Sequence, residues 1–172
     1  MSNPFKKIES GDNIVWLTQP KETEKILKRK EVALKIAKGK IQDTGGKIEP
    51  AIQTAEAFGR SLFEEYIKNE SNEWTMDQWL KPVIKNIFNP MGTAAAFTNI
   101  TEDEAKSFVF SYSQADESAD PYLSSLFTYG FLRGILLSAF PKGELIMRSS
   151  MAEGAQVDEF TFKAKLNDDE KM

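Results

Sequence analysis

Apolar positions recur with two different periods along this chain, and the change of period predicts its organisation. From about residue 24 to residue 88 the spacing is helical. Ile26, Leu27, Leu34, Ala37 and Ile41 make a thin stripe between lysines and glutamates after Pro20, and Gly45-Gly46 ends it. A second helix begins near Pro50, a residue suited to a first turn. Ile48, Ile52, Ala55, Gly59, Leu62 and Tyr66 share one side of it, Ala51, Phe58 and Phe63 widen that face, and Glu64, Glu65 and Lys68 face away. Thr75 with Gln78 reads as a capping box for a third helix carrying Trp79, Val83, Ile84, Ile87 and Phe88. Pro82 disturbs that helix or opens a new first turn, and Asn89-Pro90-Met91-Gly92 stops it.

The period then becomes two. Residues 94–100 and 108–112 read as strands joined by the acidic loop 101–104. A second acidic loop, 116–120, leads into a hydrophobic helix over 122–140. Leu145, Met147, Ser149 and Met151 alternate with Ile146, Arg148 and Ser150, and after Glu153-Gly154 Phe160, Phe162, Ala164 and Leu166 alternate with Glu159, Thr161, Lys163 and Lys165. The expected fold is α+β: amphipathic helices packed on a four-stranded antiparallel sheet of two hairpins separated by a buried helix. Residues 1–20 are expected to be an irregular arm, with Ile14-Val15-Trp16-Leu17 as a short strand or docking arm; 21–166 form one domain and 167–172 a polar tail.

The 122–140 helix is apolar on almost every side and carries one charge, Arg133. Such a helix must be surrounded by protein, and its arginine must find an anion. Gly130 and Gly134 share a face and let another backbone come close, either across a subunit interface or from a neighbouring helix. The run approaches membrane-spanning length, but the central arginine opposes insertion.

Composition narrows the chemistry. The 172 residues include no cysteine and no histidine, so disulfides, thiolates, cysteine-bound zinc and a Ser-His-Asp triad are excluded. No catalytic residue, metal ligand set or cofactor is assigned. A net charge of −4 argues against nucleic acid as a partner. The first residues lack the apolar run of a secretory signal, so the expected location is cytoplasmic, with at most peripheral membrane contact. Lys25, Lys28, Arg29, Lys30, Lys35, Lys38 and Lys40 form the one basic segment, interleaved with Glu22, Glu24 and Glu31; it reads as a solvated face, or as a contact for an acidic membrane or partner. The acidic loops at 102–104 and 116–117 do not have calcium-loop spacing, and Gly45-Gly46 follows a helix rather than the strand a phosphate loop needs.

Gly130-Phe-Leu-Arg-Gly-Ile-Leu, Phe58-Gly-Arg-Ser-Leu-Phe-Glu64, the segment from Trp79 to Gly92, and the closing Phe160-Thr-Phe-Lys-Ala-Lys together resemble one superfamily. It joins 4-vinyl-reductase-type ligand-binding domains to the small Bet-type subunits of the TRAPP vesicle-tethering complexes, and the similarity covers roughly 48–166. The resemblance implies a dimerising or hetero-associating α+β domain with a cavity beside its buried helix. Where 4-vinyl-reductase-type domains hold zinc, this chain has Ser149, Ala152 and Phe160, with Ser124 and Ser125 before the glycines, so that site is absent. The acyl-cysteine of some TRAPP subunits is impossible here.

Phe58, Phe127, Phe131, Arg133 and Met147 are the expected ligand-binding residues, with Phe63, Phe88, Phe97 and Met151 nearby in the apolar set; core packing is the competing reading. Gly130 and Gly134 are the expected interface residues. Arg133 would clamp an anion of a ligand, or else pair with Glu153, Asp158 or a partner's acid. The expected function is a non-enzymatic, dimerising ligand-binding or assembly module, a homodimer or a hetero-oligomer with related subunits that can hold a small hydrophobic ligand. The rival is a TRAPP-like structural subunit of a tethering or exchange-factor complex. A reductase acting on a flat substrate is third, because no residue supplies evident redox chemistry.

Overall fold

The structure is a computed structural model describing residues 5–10, 13–71, 73–111 and 121–165. Tyr112, the 116–120 loop, Leu166 and the 167–172 tail lie outside the described residues. Strands β1 (Phe5–Ser10) and β2 (Asn13–Thr18) come first, followed by helices α1 (Glu24–Asp43), α2 (Glu49–Tyr66) and α3 (Met76–Val83). A π-helical turn, Ile84–Phe88, continues α3 into the single turn α4 (Asn89–Met91). Then come β3 (Ala94–Thr98), β4 (Glu104–Ser111), α5 (Pro121–Ala139), β5 (Glu144–Ser149) and β6 (Asp158–Lys163).

The strands form one antiparallel sheet in the order β1-β2-β3-β4-β6-β5. The two hairpins expected from sequence, β3–β4 and β5–β6, are joined along β4 and β6, with α5 between them in the chain. The sheet has six strands rather than four, because the supposed irregular arm is a hairpin docked on β3. Buried Thr18 fixes that docking: its hydroxyl donates to the Thr93 carbonyl at 2.8 Å and accepts from Ala95 N–H at 3.0 Å. The connection to α1 is held as well, since Lys21 and Thr23 N–H donate to the carbonyls of Asn89 and Pro90.

The helical boundaries follow from local chemistry. Pro50 sits in the first turn of α2. Gly45 and Gly46 adopt positive φ just past α1, and Gly92 does so after α4, a backbone state that costs glycine little. Thr75 is the residue before α3, but no capping box forms: its hydroxyl donates to Asp77 at 2.7 Å, while the Met76 N–H is taken by the Glu102 carbonyl. Pro82 lies inside α3 without ending it.

The helices cover one face of the sheet. Trp79 meets Phe140 and Phe162 edge-on, both at 5.8 Å, and Phe88 stacks on Phe97 at 5.5 Å. On β4 the core-facing residues are Ala105, Ser107 and Val109, so the bulkier Phe108 and Phe110 point to the other face, where Phe110 is 49% exposed. The sheet ends at β1, which carries exposed Lys6 and Lys7, and at β5, which carries exposed Arg148 and has a bulge between Met147 and Ser149.

The closest helix pair is α2 with α5, and three glycines make it possible. A Cβ on Gly134 would overlap the Glu56 carbonyl, one on Gly59 the Phe131 carbonyl, and one on Gly130 would lie 2.7 Å from the Ile52 carbonyl. All three obstacles are backbone or methyl atoms that cannot swing aside. Gly134→Ala and Gly59→Ala should each destabilise the protein by about 1–3 kcal/mol through overpacking. Gly39→Ala, where nothing lies within 4 Å, should stabilise α1 by about 0.5–1 kcal/mol. Urea unfolding of the three variants measures the contrast, and equal shifts would refute it.

Candidate functional site

Of the expected ligand-binding residues, three come together. The Phe58 ring lies 5.7 Å from those of both Phe127 and Phe131, joining α2 to α5. Phe127 and Phe131 also line a small void with Lys30, Phe88, Met91, Thr93, Val109 and Thr128. Its volume is about 10 Å³, the space of one water at most, since a water needs about 10–15 Å³. Met147 is not part of this group: it sits on β5 opposite Phe160, packed against the sheet side of the core.

Arg133 also points elsewhere. It is not deeply buried, as its side chain keeps 42% exposure, and its guanidinium meets Glu56 of α2, which is 16% exposed, at 2.5 Å. The partner is therefore neither Glu153 nor Asp158. Gly130 and Gly134 lie against α2 of the same chain, so the expected subunit interface is occupied by an internal helix. Glu56 went unnoticed in the sequence, but a signal was present. Ile52, Glu56, Gly59 and Phe63 share a helical face, and an acid within an apolar face calls for a buried-side partner.

Asp158, at the start of β6, is fully buried. Ser125 of α5 donates to both carboxylate oxygens at 3.1 Å, and the Met151 N–H donates at 2.7 Å. This carboxylate ties α5 to the β5–β6 connection. Burial pushes its pKa upward, partly opposed by the Met151 hydrogen bond.

A second concave feature lies elsewhere, between α1 and α2. It is an open groove of about 520 Å³ lined by Lys28, Arg29, Val32, Ala33, Ile36, Thr54, Ala57, Phe58 and Ser61. Small residues at 54, 57 and 61 recur on one side of α2 and leave the space; Val32 and Ile36, one helical turn apart, form its apolar ridge and are 58% and 48% exposed. Phe58 is shared, because it borders both the groove and the internal aromatic group. At one end Arg29 is held from three sides: by Glu65, by Ser61 Oγ at 3.2 Å, and by the Tyr66 ring, 5.9 Å below its guanidinium. Lys28 pairs with Glu24 at 3.0 Å and Lys35 with Glu31 at 3.5 Å, both within α1 and both exposed. Sequence periodicity placed Val32 and Ile36 nowhere, because it followed the opposite, core-facing stripe of α1.

Among the described residues, no group of three carboxylates is placed to hold a metal ion, and no helix is long and apolar enough to cross a membrane.

Two outcomes follow from the ionisable groups. Asp158 has a folded-state pKa above its unfolded value, so its contribution to stability is fully present below about pH 4 and is lost as the pH rises through the raised value. Asp158→Asn should therefore gain on the natural protein as the pH goes from about 4 towards 7, measured as the difference in urea-unfolding free energy; a flat difference would contradict this. For the half-exposed Arg133–Glu56 pair, a double-mutant cycle with Arg133→Met and Glu56→Gln should give a coupling of only about 0–1 kcal/mol, and several times that would refute the assignment.

No family model matches the chain, and no curated protein matches it in sequence. Among solved structures, it is similar to the trafficking protein particle complex subunit 3 from Naegleria fowleri, crystallised covalently bound to palmitic acid. The match has a TM-score of 0.58 and 16% identity, and it covers 81% of this chain and 96% of that one. It does not bear on the 4-vinyl-reductase branch of the resemblance. Its extent, almost the whole of the other chain, shows that this protein has the fold of a TRAPP-type small subunit.

Proposed function

We propose that this chain is a non-catalytic assembly subunit of the TRAPP type, which docks partner chains in the groove between α1 and α2. The observation that carries this reading is the pair Val32 and Ile36, exposed side by side along an open apolar groove in a fold shared with a trafficking-complex subunit. A helix laid into such a groove buries the remaining half of both branched side chains, each worth about 1 kcal/mol. The partner is a second copy or a related subunit. The lack of histidine and cysteine supports a role without bond chemistry.

The void lined by Phe127 and Phe131, at about 10 Å³ and with its aromatic rings already packed against one another, is too small for a hydrocarbon chain, which favours assembly over capture at that place. A thioester to a fatty acid needs a thiol, which this sequence lacks.

The test is native mass spectrometry with light scattering on chain isolated from its source. Stoichiometric related subunits, or a second copy, are expected. Val32→Asp and Ile36→Asp should each weaken the association by about tenfold to a hundredfold with the circular-dichroism melt unchanged. A strictly monomeric protein without a stoichiometric partner overturns the reading.

A further inference from the structure

We propose that α1 is a lid, latched at its near end by the 19–23 linker and hinged at Gly45-Gly46, which lifts to uncover the rings of Phe58, Phe127 and Phe131. The motion belongs to the single chain, so the inference stands apart from the assembly reading and is tested without a partner.

α1 is long but weakly anchored. Of its 20 residues, the buried ones are Ile26, Lys30, Ala33, Leu34 and Ala37, so its large aliphatic anchors are Ile26 and Leu34. α2 buries Phe58, Leu62 and Phe63, and α5 buries Phe127, Phe131, Leu132, Ile135 and Leu136. Apolar burial stabilises in proportion to area, and the element with least of it opens first. Gly39 in its interior, and an N-cap, Thr23, whose side chain makes no capping hydrogen bond, weaken α1 as a helix.

The polar ties of α1 are of a kind that release. The latch consists of hydrogen bonds onto α4: Gln19 N–H to Asn89 Oδ1 at 2.8 Å, Lys21 N–H to the Asn89 carbonyl at 2.8 Å, and Thr23 N–H to the Pro90 carbonyl at 2.7 Å. Once these part, residues 19–23 reach about 16–18 Å, enough for α1 to lift while β2 stays paired with β3. Arg29 and Lys25 tie α1 to Glu65 of α2 through partly exposed ion pairs, and such pairs hold weakly. At the far end Gly45 and Gly46 adopt positive φ, with nothing within 4 Å of where a Cβ would stand. The N–H groups of Thr44, Gly45 and Gly46 turn back onto the carbonyls of Lys40, Gln42 and Ile41, so these main-chain bonds travel with the helix.

α1 also stands between two spaces. Its Lys30 lines the small void with Phe127 and Phe131, while its Val32, Ala33 and Ile36 line the groove opposite Phe58. The Phe58 ring lies 5.7 Å from both other rings. Lifting α1 takes one wall from each space and joins them over a floor of three phenylalanines, which are 7%, 2% and 3% exposed with the lid down. Anything that binds those rings selects the open state, and its apparent affinity is scaled by the fraction of chains that are open.

The chain has no cysteine, so one engineered thiol reports on one place. Ala37→Cys puts it on the buried side of α1, and Ala105→Cys puts a reference thiol on the core side of β4. N-ethylmaleimide labelling of the whole chain under native conditions, followed by mass spectrometry, should modify the Ala37→Cys thiol at least roughly tenfold faster than the Ala105→Cys thiol. Adding Asn89→Ala, which removes the acceptor for Gln19 N–H, should speed the first roughly two- to tenfold and leave the second unchanged. Arg29→Met, which releases Glu65 and Ser61, should act in the same direction. In the unsubstituted chain, amide hydrogen exchange over 19–43 should run ahead of that over 49–66 and 121–139.

Equal labelling rates at the two thiols overturn the proposal, because α1 then leaves the core only when the whole chain unfolds. So does acceleration of both thiols alike, or an Ala37→Cys rate that neither Asn89→Ala nor Arg29→Met changes. If Ala37→Cys lowers the circular-dichroism melt, the exchange measurement decides: equal protection of 19–43 and 49–66 overturns the lid, and earlier opening of 19–43 upholds it. A strictly monomeric chain that opens at α1 would sink the assembly reading and leave this inference standing.

Discussion

The approach of two backbones, α2 on α5, is the constraint from which the rest of the molecule follows. Gly59, Gly130 and Gly134 allow main-chain atoms of one helix to rest on those of the other. That closeness aligns Phe58 with Phe127 and Phe131 and brings Glu56 beside Arg133. It also uses up the inner side of α2, so that its small residues at 54, 57 and 61 are left facing α1, where they hollow out the groove. A helix that fits closely on one side and loosely on the other is what separates the core from the open groove in this chain.

Much of this architecture was legible from residue spacing. The three long helices, the two later hairpins and the burial of the last helix all follow from periods of 3.6 and two, because each face is apolar enough to dictate its own orientation. The N-terminal hairpin was legible only in part: Ile14-Val15-Trp16-Leu17 read as a short strand or docking arm, but β1 was missed, because it is short and carries two lysines, and spacing does not show Trp16 entering the core or the Thr18 hydroxyl tying β2 to β3. The aromatic residues of β4 were misleading for a similar reason. Alternation shows that a strand has two faces but not which one meets the helices, and here small residues and a valine were chosen for the inside.

The candidate sites divide in the same way. Gly130 and Gly134 announced a close approach, but spacing cannot say whether the visitor is another chain or another part of this one; the answer came from α2. Arg133 announced a need for an anion, and the anion was an acid placed on the matching face of α2, long-range in sequence and short in space. Val32 and Ile36 were invisible because a reading that follows the majority stripe discounts isolated apolar residues on the polar side. They are the two apolar residues of the groove that remain half-exposed to water.

The two margins of the sheet show how such a protein avoids the wrong kind of company. β1 meets solvent with paired lysines, and β5 with an arginine and an irregular step in its ladder, features that discourage a foreign strand from hydrogen-bonding alongside. Ribbon-by-ribbon growth into filaments is thereby suppressed at either border.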